Sequence, residues 1–363
     1  MAKNKVVVAM SGGVDSSIAA ALLKERGFEV TGITMNLFSL PREVCQSEDL
    51  RSCCGFKAVE DAQRVALMLG IPHYVVDFRK EFERIVVADF CREYSRGRTP
   101  NPCIRCNEHI KFSLLAERAK RLGADFIATG HHARVEYDKA SGRYILKKGK
   151  DKTKDQSYFL YTLSQDELAF TLFPVGEMTK PRVRQLARKW KLPVAEKEES
   201  QEICFVLDND YGRFLEIRVP EAFKPGPILD LHGNILGTHR GIPFFTIGQR
   251  KGMGISARHP LYVLAIDADK NAIIVGKNDE LLRNKLLASG VNWISVSGID
   301  KPLTVKAKIR SKHREAAAVV TQAGEDSIRV EFRSAQRAVT PGQAIVFYGG
   351  DIVLGGAIID SAG

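Results

Sequence analysis

Residues 6–27, VVVAMSGGVDSSIAAALLKERG, restrict the possible folds more than any other stretch of the chain. A short apolar run reads as a strand, a glycine- and serine-rich loop ends it, and a helix-like pattern follows. Ile18, Ala21, Leu22 and Phe28 can pack toward a sheet, while Lys24, Glu25 and Arg26 can face water. FEVTGITMNLF supplies a second strand candidate. Residues 59–69 place Val59, Ala62, Ala66 and Leu69 at helical spacing before Gly70 and Pro72 stop the helix. HYVVDF is the next strand, a helix is predicted over 110–122, and DFIATG follows as another strand. This alternation predicts an α/β domain with a largely parallel sheet.

The alternation ends after Val206. FKPGPILDLHGNILGTHRGIPFFTIGQRKGMGI is rich in turns and short apolar runs, which suits a small, mainly β domain. From about Asn292 the pattern becomes strand-like: in LTVKAKIR, Val305, Ala307 and Ile309 can face a core while Lys306, Lys308 and Arg310 face out. SIRVEF and AIVFYGGDIVLGGAII add strands, and a closed or nearly closed barrel would satisfy their edges. The expected domains are therefore 1–207, 208–280 and 281–363, a division that 363 residues can support.

With 44% hydrophobic and 27% charged residues, and no apolar run of membrane-spanning length, the composition is that of a soluble protein. Residues 1–4 lead directly into the first strand, leaving no room for a signal peptide, so a cytoplasmic location is expected. A formal charge of +11 would attract a polyanion, nucleic acid being the obvious candidate, although a solvated basic surface would carry the same charge.

Ligands of parallel sheets collect at the C-terminal strand ends, where SGGVDSS would lie. Gly12 and Gly13 permit close backbone approach, Ser11, Ser16 and Ser17 can donate to anionic oxygens, and the helix terminus adds N–H groups. An ordinary glycine turn with a helix cap is the plainer alternative. No Lys-Ser or Lys-Thr follows the glycines, so this is not a Walker loop. Asp15, inside the loop, could orient Mg²⁺ with a nucleotide or cap the helix. Gly130 could admit a nucleotide beside His131, whereas His132 has no comparable claim. Met35, placed after the second strand, could border adenine or simply fill the core.

The loop resembles the pyrophosphatase-type ATP loop of enzymes that activate a carbonyl oxygen by adenylation. Taken with TPNPCIRCNEHIKF, GHHAR, KDQSYFLY and QEICFV, the chain resembles the bacterial tRNA-specific 2-thiouridylase family over essentially its whole length. The resemblance implies an adenine nucleotide alpha-hydrolase-like (PP-loop) domain, a small central domain and a C-terminal β-barrel. It also implies ATP with Mg²⁺, and sulfur insertion at the C2 oxygen of the wobble uridine, position 34, of tRNAs for Lys, Glu and Gln. Ala9, Ser11, Gly12, Gly13, Asp15, Ser16, Ser17, Met35, Gly130 and His131 would then surround the nucleotide. The sulfur would come from a persulfide donor such as a cysteine desulfurase or a sulfur relay protein.

Seven cysteines cannot all pair within one chain. A tetrathiolate zinc site would want a second close pair beside Cys103 and Cys106, whereas Cys53 and Cys54 are adjacent and Cys204 is alone. Inert buried thiols are the bland alternative. Arg105, His109 and Lys111 would instead favour a Cys106 thiolate. The resemblance makes Cys106 the nucleophile that carries a persulfide and Cys204 the second catalytic cysteine, with a transient disulfide between them. Cys103 departs from the aspartate often found at its position in the family. It completes a possible set of three iron-sulfur ligands with Cys106 and Cys204, which could hold a [4Fe-4S] cluster.

Basic segments supply candidate RNA contacts. KGKDKTKDQSYFLY concentrates Lys148, Lys150, Lys152 and Lys154 before Asp155, Gln156 and Ser157. The lysines could hold phosphates and the last three residues could lie near the base; a solvated hairpin is the alternative. In MTKPRVRQLARKWKLP, Val183, Leu186, Ala187 and Trp190 form a buried stripe, leaving Arg182, Arg184, Arg188 and Lys189 more exposed to follow a phosphate backbone. Gln249 and Arg250 in TIGQRKG are either tRNA contacts or a tight basic turn. An adenylating RNA-modifying amidotransferase and a non-enzymatic RNA-binding protein with structural cysteines are the competing functions.

Overall fold

The computed structural model describes residues 3–38, 56–198, 203–206 and 209–363. The chain divides into two units, the first made of Met1–Val86, Cys103–Asn209 and Asp351–Val353, the second of Val87–Pro102, Asp210–Gly350 and Leu354–Gly363.

The first unit is built on a parallel sheet of β1 (Lys5–Ala9), β2 (Glu29–Asn36), β3 (His73–Asp77), β4 (Phe126–Ala128) and β7 (Thr171–Leu172), in the order β3-β2-β1-β4-β7. The central strand β1 is buried from Val6 to its end because helices cover the sheet. Val6, Val8 and Met10 share a core with Ile18 and Leu23 of helix Val14–Glu25, Val65 of helix Phe56–Leu69, and Val183 and Leu186 of helix Lys180–Lys189. Each such side chain taken from water contributes about 1.5–3 kcal/mol. Helix Val14–Glu25 buries Ala19 and Ala20 as well as the expected Ile18, Ala21 and Leu22, since it is packed on by neighbouring helices as well as by the sheet. Lys24, Glu25 and Arg26 are exposed, as their pattern predicts. An antiparallel hairpin, β5 (Ala133–Asp138) and β6 (Arg143–Lys148), completes the unit, and Ile352 and Val353 pair with Lys147 and Leu146 of β6.

The second unit holds a four-stranded sheet of β8 (Gly226–Leu229), β9 (Ile235–His239), β10 (Tyr262–Asp267) and β11 (Ala272–Gly276), in the order β10-β11-β8-β9. It also holds six strands, β12 (Leu282–Trp293), β13 (Leu303–Lys308), β14 (Ala316–Gly324), β15 (Ser327–Arg337), β16 (Ala344–Gly349) and β17 (Ile352–Ala362), which run β12-β15-β14-β13-β16-β17 and close through β12–β17. Closure leaves no unpaired edge, the benefit expected of a barrel. Val305, Ala307 and Ile309 are buried in its core, as their alternation predicts.

Residues Val87–Pro102, which the sequence places inside the first domain, group with the second unit. The cause is aromatic packing: Tyr94 of helix Ala88–Ser95 stacks on Tyr211 at 5.1 Å and Phe90 meets Phe214 edge-on at 6.2 Å. Thr99 N–H donates to the Pro341 carbonyl at 2.9 Å, and Gln343 returns a 2.9 Å bond to the Thr99 carbonyl.

Candidate active site

The strand order of the parallel sheet reverses at β1, whose neighbours β2 and β4 lead away in opposite directions. That is where a doubly wound sheet opens a crevice beyond its C-terminal strand ends. Two loops leave the sheet there, Ser11–Gly12–Gly13 after β1 and Thr129–Gly130–His131 after β4. Gly12 has φ of +68°, and a Cβ on it would run into the Ala58 carbonyl. A Cβ on Gly130 would lie 2.5 Å from the Ser16 nitrogen and 2.7 Å from the Asp15 carbonyl carbon, so the two loops touch through backbone that only glycine allows.

The three loop serines divide their work differently from the expectation. Ser17 is fully buried and its hydroxyl donates to the Gly13 carbonyl at 2.9 Å; Ser16, also buried, donates to the same carbonyl at 3.1 Å and accepts from Ser11 N–H at 3.2 Å. Ser17 therefore shapes the loop and does not present its hydroxyl to a ligand, while Ser11 is exposed. Ala9 ends β1 at the edge of burial. Met35 lies inside β2 and not after it, because the strand runs on to Asn36 in register with β3; its side chain is half-buried.

Asp15 sits in the first turn of helix Val14–Glu25. Gly13 is the N-cap and no side chain caps the helix, so the capping role does not hold. Instead Lys180 Nζ donates to one carboxylate oxygen at 2.6 Å, and His132 Nε2 lies 3.1 Å from the other. Burial by itself would push this carboxyl up, but the hydrogen bond with His132 and the charge of Lys180 outweigh it and hold the group below its ordinary 3.8. With both oxygens engaged, the geometry does not favour Asp15 as a cation ligand. Lys180 and His132 are 6% and 3% exposed and Asp15 is partly exposed, so the Asp15–Lys180 ion pair is largely buried.

Sequence reasoning missed both partners. Lys180 opens a helix whose first turn holds no acidic residue, a charge of the wrong sign for the helix dipole. That mismatch is the signal that could have marked it. Lys197 was missed as well: its ammonium donates to the Gly12 carbonyl at 3.0 Å and to Asp61 at 2.6 Å.

His131 packs between Phe112 and Phe173, with ring centroids 5.9 and 6.1 Å away, and its Nδ1 is 2.7 Å from the Thr129 hydroxyl. Burial, then the charges of Lys111 and His132, push the imidazole well below 6.5. It is neutral at pH 7, able to hydrogen-bond a phosphate but not to bring a full charge to one.

Cys106 ends helix Pro102–Cys106 and is buried, whereas Cys103 on the same helix is exposed. The helix predicted from residue 110 thus starts at Pro102, a residue suited to a first helical position. It continues through a π-helical stretch, Asn107–Leu114, into Leu115–Arg121. Such π turns concentrate at functional sites. Lys111 Nζ donates to Asn107 Oδ1 at 2.9 Å, and Asn107 in turn donates to the Phe159 carbonyl at 2.9 Å. Glu108 lies 3.1 Å from Arg105 and 3.4 Å from His109, which offsets part of the positive charge expected around the thiol. Cys204 is half-buried in a turn closed by Val206 N–H on the Ile203 carbonyl at 3.0 Å, and the adjacent Phe205 is packed edge-on against Phe82 at 5.7 Å. No disulfide joins Cys106 to Cys204 in this state. Among the described residues no three of His, Cys, Asp or Glu are grouped to hold a metal ion, so Cys103, Cys106 and Cys204 as arranged do not fit a cluster. Cys53 and Cys54 lie outside the described residues.

Of the candidate RNA contacts, Lys152 and Arg250 are exposed. Asp155 accepts from Gly149 N–H and Ser157 N–H, each at 3.1 Å, and from the Ser157 hydroxyl at 3.0 Å; Ser157 is fully buried, which removes it from contact with a base. Gln156 exchanges two hydrogen bonds with the His132 backbone, at 2.9 and 3.0 Å, and so holds the strand end that carries His131. Arg184 is half-buried and not on the exposed face, because its guanidinium donates to the carbonyls of Ala195 and Lys197 at 3.0 and 3.2 Å. Arg188 is exposed but paired with Glu196 at 2.7 Å. In the second unit, the Gln249 side chain closes its own turn, accepting from Thr246 N–H at 3.0 Å and donating to the Lys251 carbonyl at 2.9 Å.

Residues 4–208 match the family described as "tRNA methyl transferase HUP domain", residues 212–277 the "tRNA methyl transferase PRC-barrel domain" and residues 283–359 the "Aminomethyltransferase beta-barrel domain". A protein of Symbiobacterium thermophilum named tRNA-specific 2-thiouridylase MnmA is 52% identical over 99% of this chain and 92% of its own. The chain belongs to the tRNA-specific 2-thiouridylase family. Further thiouridylases of the same name, from Heliobacterium modesticaldum and Pelotomaculum thermopropionicum, are 51% and 50% identical over 98% and 100% of the chain and 92% and 99% of their own. The expected thiouridylase architecture of HUP-type α/β domain, small β domain and closed six-stranded barrel is the one observed. Among the described residues no helix is long and apolar enough to cross a membrane.

Proposed function

We propose that the protein is a tRNA-uridine 2-sulfurtransferase that uses ATP to replace the C2 oxygen of wobble uridine 34 by sulfur. Identity of 50–52% over nearly the whole chain to relatives of that name carries the reading. Neither the amidotransferase nor the non-enzymatic alternative finds support in those names. The domains act as 1–207 for ATP and catalysis, 208–280 and 281–363 for the tRNA, whose cognates are those for Lys, Glu and Gln. The setting is cytoplasmic, and a persulfide donor such as a cysteine desulfurase or a sulfur relay protein supplies the sulfur.

In this reading the backbone of Ser11, Gly12 and Gly13 holds the ATP phosphates at the N-terminus of helix Val14–Glu25. Mg²⁺ would arrive with the nucleotide, Asp15 being engaged by Lys180 and His132. The uridine C2 oxygen attacks the α-phosphorus and pyrophosphate leaves, which turns a poor leaving group into AMP. Cys106 carries the sulfane sulfur as a persulfide. The Cys204 thiolate attacks the Cys106 sulfur, forming a Cys106–Cys204 disulfide and expelling hydrosulfide, which adds to C2 as AMP departs. A cellular thiol then reduces the disulfide.

The test incubates the purified protein with Mg²⁺-ATP, a persulfide donor and cognate tRNA, with and without iron. 2-Thiouridine formed in step with AMP and pyrophosphate, without iron, is expected. A methylated nucleoside, or thiolation only with an assembled cluster, would overturn the function or the persulfide route respectively.

The RNA contacts are tested by salt dependence. Neutralising Lys150 and Lys152 together should reduce the slope of log affinity against log salt by up to about 1.4–1.8, roughly 0.7–0.9 for each phosphate that no longer meets a cation. Arg184→Ala should leave the slope unchanged and instead lower stability by about 1–3 kcal/mol, because two carbonyls are deprived of charge-assisted bonds. A slope that falls with R184A and not with the lysines would reverse the assignment.

A further inference from the structure

Lys197 reaches the glycine loop from 185 positions away in sequence. Its ammonium donates to the Gly12 carbonyl at 3.0 Å and to Asp61 Oδ2 at 2.6 Å, and its side chain is 27% exposed against 13% for Asp61. Three elements meet at this point. Gly12 turns through positive φ so closely against Ala58 that no Cβ fits, and Asp61 lies one turn further along the same helix, Phe56–Leu69. The backbone around Lys197 is fixed independently, by Arg184 on the carbonyls of Ala195 and Lys197 and by the pairing of Arg188 with Glu196.

A structural ion pair would account for the Asp61 contact alone. It does not account for a second donor placed on the loop that holds phosphate. An ammonium has three donors, and the described residues supply acceptors for two of them. We propose that Lys197 is a phosphate ligand of this loop, its ammonium shared with Asp61 until a phosphate competes for it. The inference rests on the reading that the loop binds ATP. In the reaction Lys197 would neutralise charge gathering on the pyrophosphate as its bond to the α-phosphorus breaks, a fixed cation where charge develops.

Asp61 and Lys197 are two halves of one ion pair, so their variants separate the alternatives. Mg²⁺-ATP binding at equilibrium, pyrophosphate release and Tm are measured for wild type, Lys197→Met, Lys197→Arg and Asp61→Asn. K197M should weaken ATP binding roughly tenfold or more, as removal of one charge-assisted phosphate bond requires, and K197R should recover most of it. D61N breaks the same ion pair and lowers Tm comparably, yet it should bind ATP at least as tightly as wild type because the cation remains. Equal losses of ATP affinity in K197M and D61N would reduce Lys197 to a structural partner, and wild-type affinity in K197M would remove it from the site. Should K197M fail to fold, weakened ATP binding by folded D61N overturns the proposal just as well. Wild type that binds no ATP would instead defeat the functional reading before any variant is compared.

Discussion

Cys106→Ser abolishes thiolation of tRNA while ATP-dependent pyrophosphate release in the presence of tRNA continues. In the proposed reaction the two activities depend on different side chains and loops: pyrophosphate release on the glycine loop after β1, sulfur transfer on the thiol of Cys106, at the end of helix Pro102–Cys106. Serine is close to cysteine in size, so the buried position is refilled without a large cavity, yet its hydroxyl cannot carry sulfane sulfur. Cys204→Ser should stall one step later and let a persulfide persist on Cys106, detectable by mass. Cys103→Ser should keep appreciable activity, because Cys103 is exposed and does not join Cys106 and Cys204 in a metal-holding group among the described residues. Loss of activity in all three variants, with iron bound to the native protein and no persulfide on Cys106, would replace this route by a cluster. Full activity of C106S would remove the nucleophile altogether.

Asp15→Asn should cost about 3 kcal/mol of stability and roughly a hundredfold in pyrophosphate release. The stability loss follows from breaking a buried pair by removing one partner, taken at the low end because the Asp15 side chain is 26% exposed. The rate loss follows from the loop itself: Asp15 and Ser16 touch Gly130, and a shift of about 1 Å in positioned groups is enough to cost two orders of magnitude. Lys180→Met should destabilise similarly, and the D15N/K180M double variant by less than the sum, since the pair is coupled. The sign of the pH dependence is fixed by the direction of the shift. The folded carboxyl lies below its ordinary 3.8, so its contribution is complete above that value and is lost as pH falls through the folded value. The Tm difference between wild type and D15N should therefore be constant near neutrality and shrink below about pH 4. A difference that persists unchanged in stronger acid would show that the ion pair is not its source.

Much of the scaffold was legible in sequence because it follows from local periodicity. Val6, Val7 and Val8 form a strand buried on both faces, Ile18 and Leu22 repeat on a helix, and Val305, Ala307 and Ile309 alternate along a barrel strand. Each pattern is a property of neighbours a few residues apart. The glycine loop was legible for the same reason, since Gly12 and Gly130 mark places where backbone must approach backbone.

The amino-acid sequence by itself determined the alternation of strands and helices, the loop between β1 and its helix, the Cys103–Cys106 spacing that marks the candidate thiol and the strand-rich C-terminal half. Only the tertiary structure decided which charges meet. Asp15 meets Lys180 across 165 positions and Lys197 meets Gly12 across 185, separations that no local pattern encodes. Arg184 looked like a surface cation until the chain folded back and offered it two carbonyls, and Ser17 looked like a ligand until Gly13 took its hydroxyl. A buried polar group must find its partner inside the protein, and folding alone determines which groups are buried.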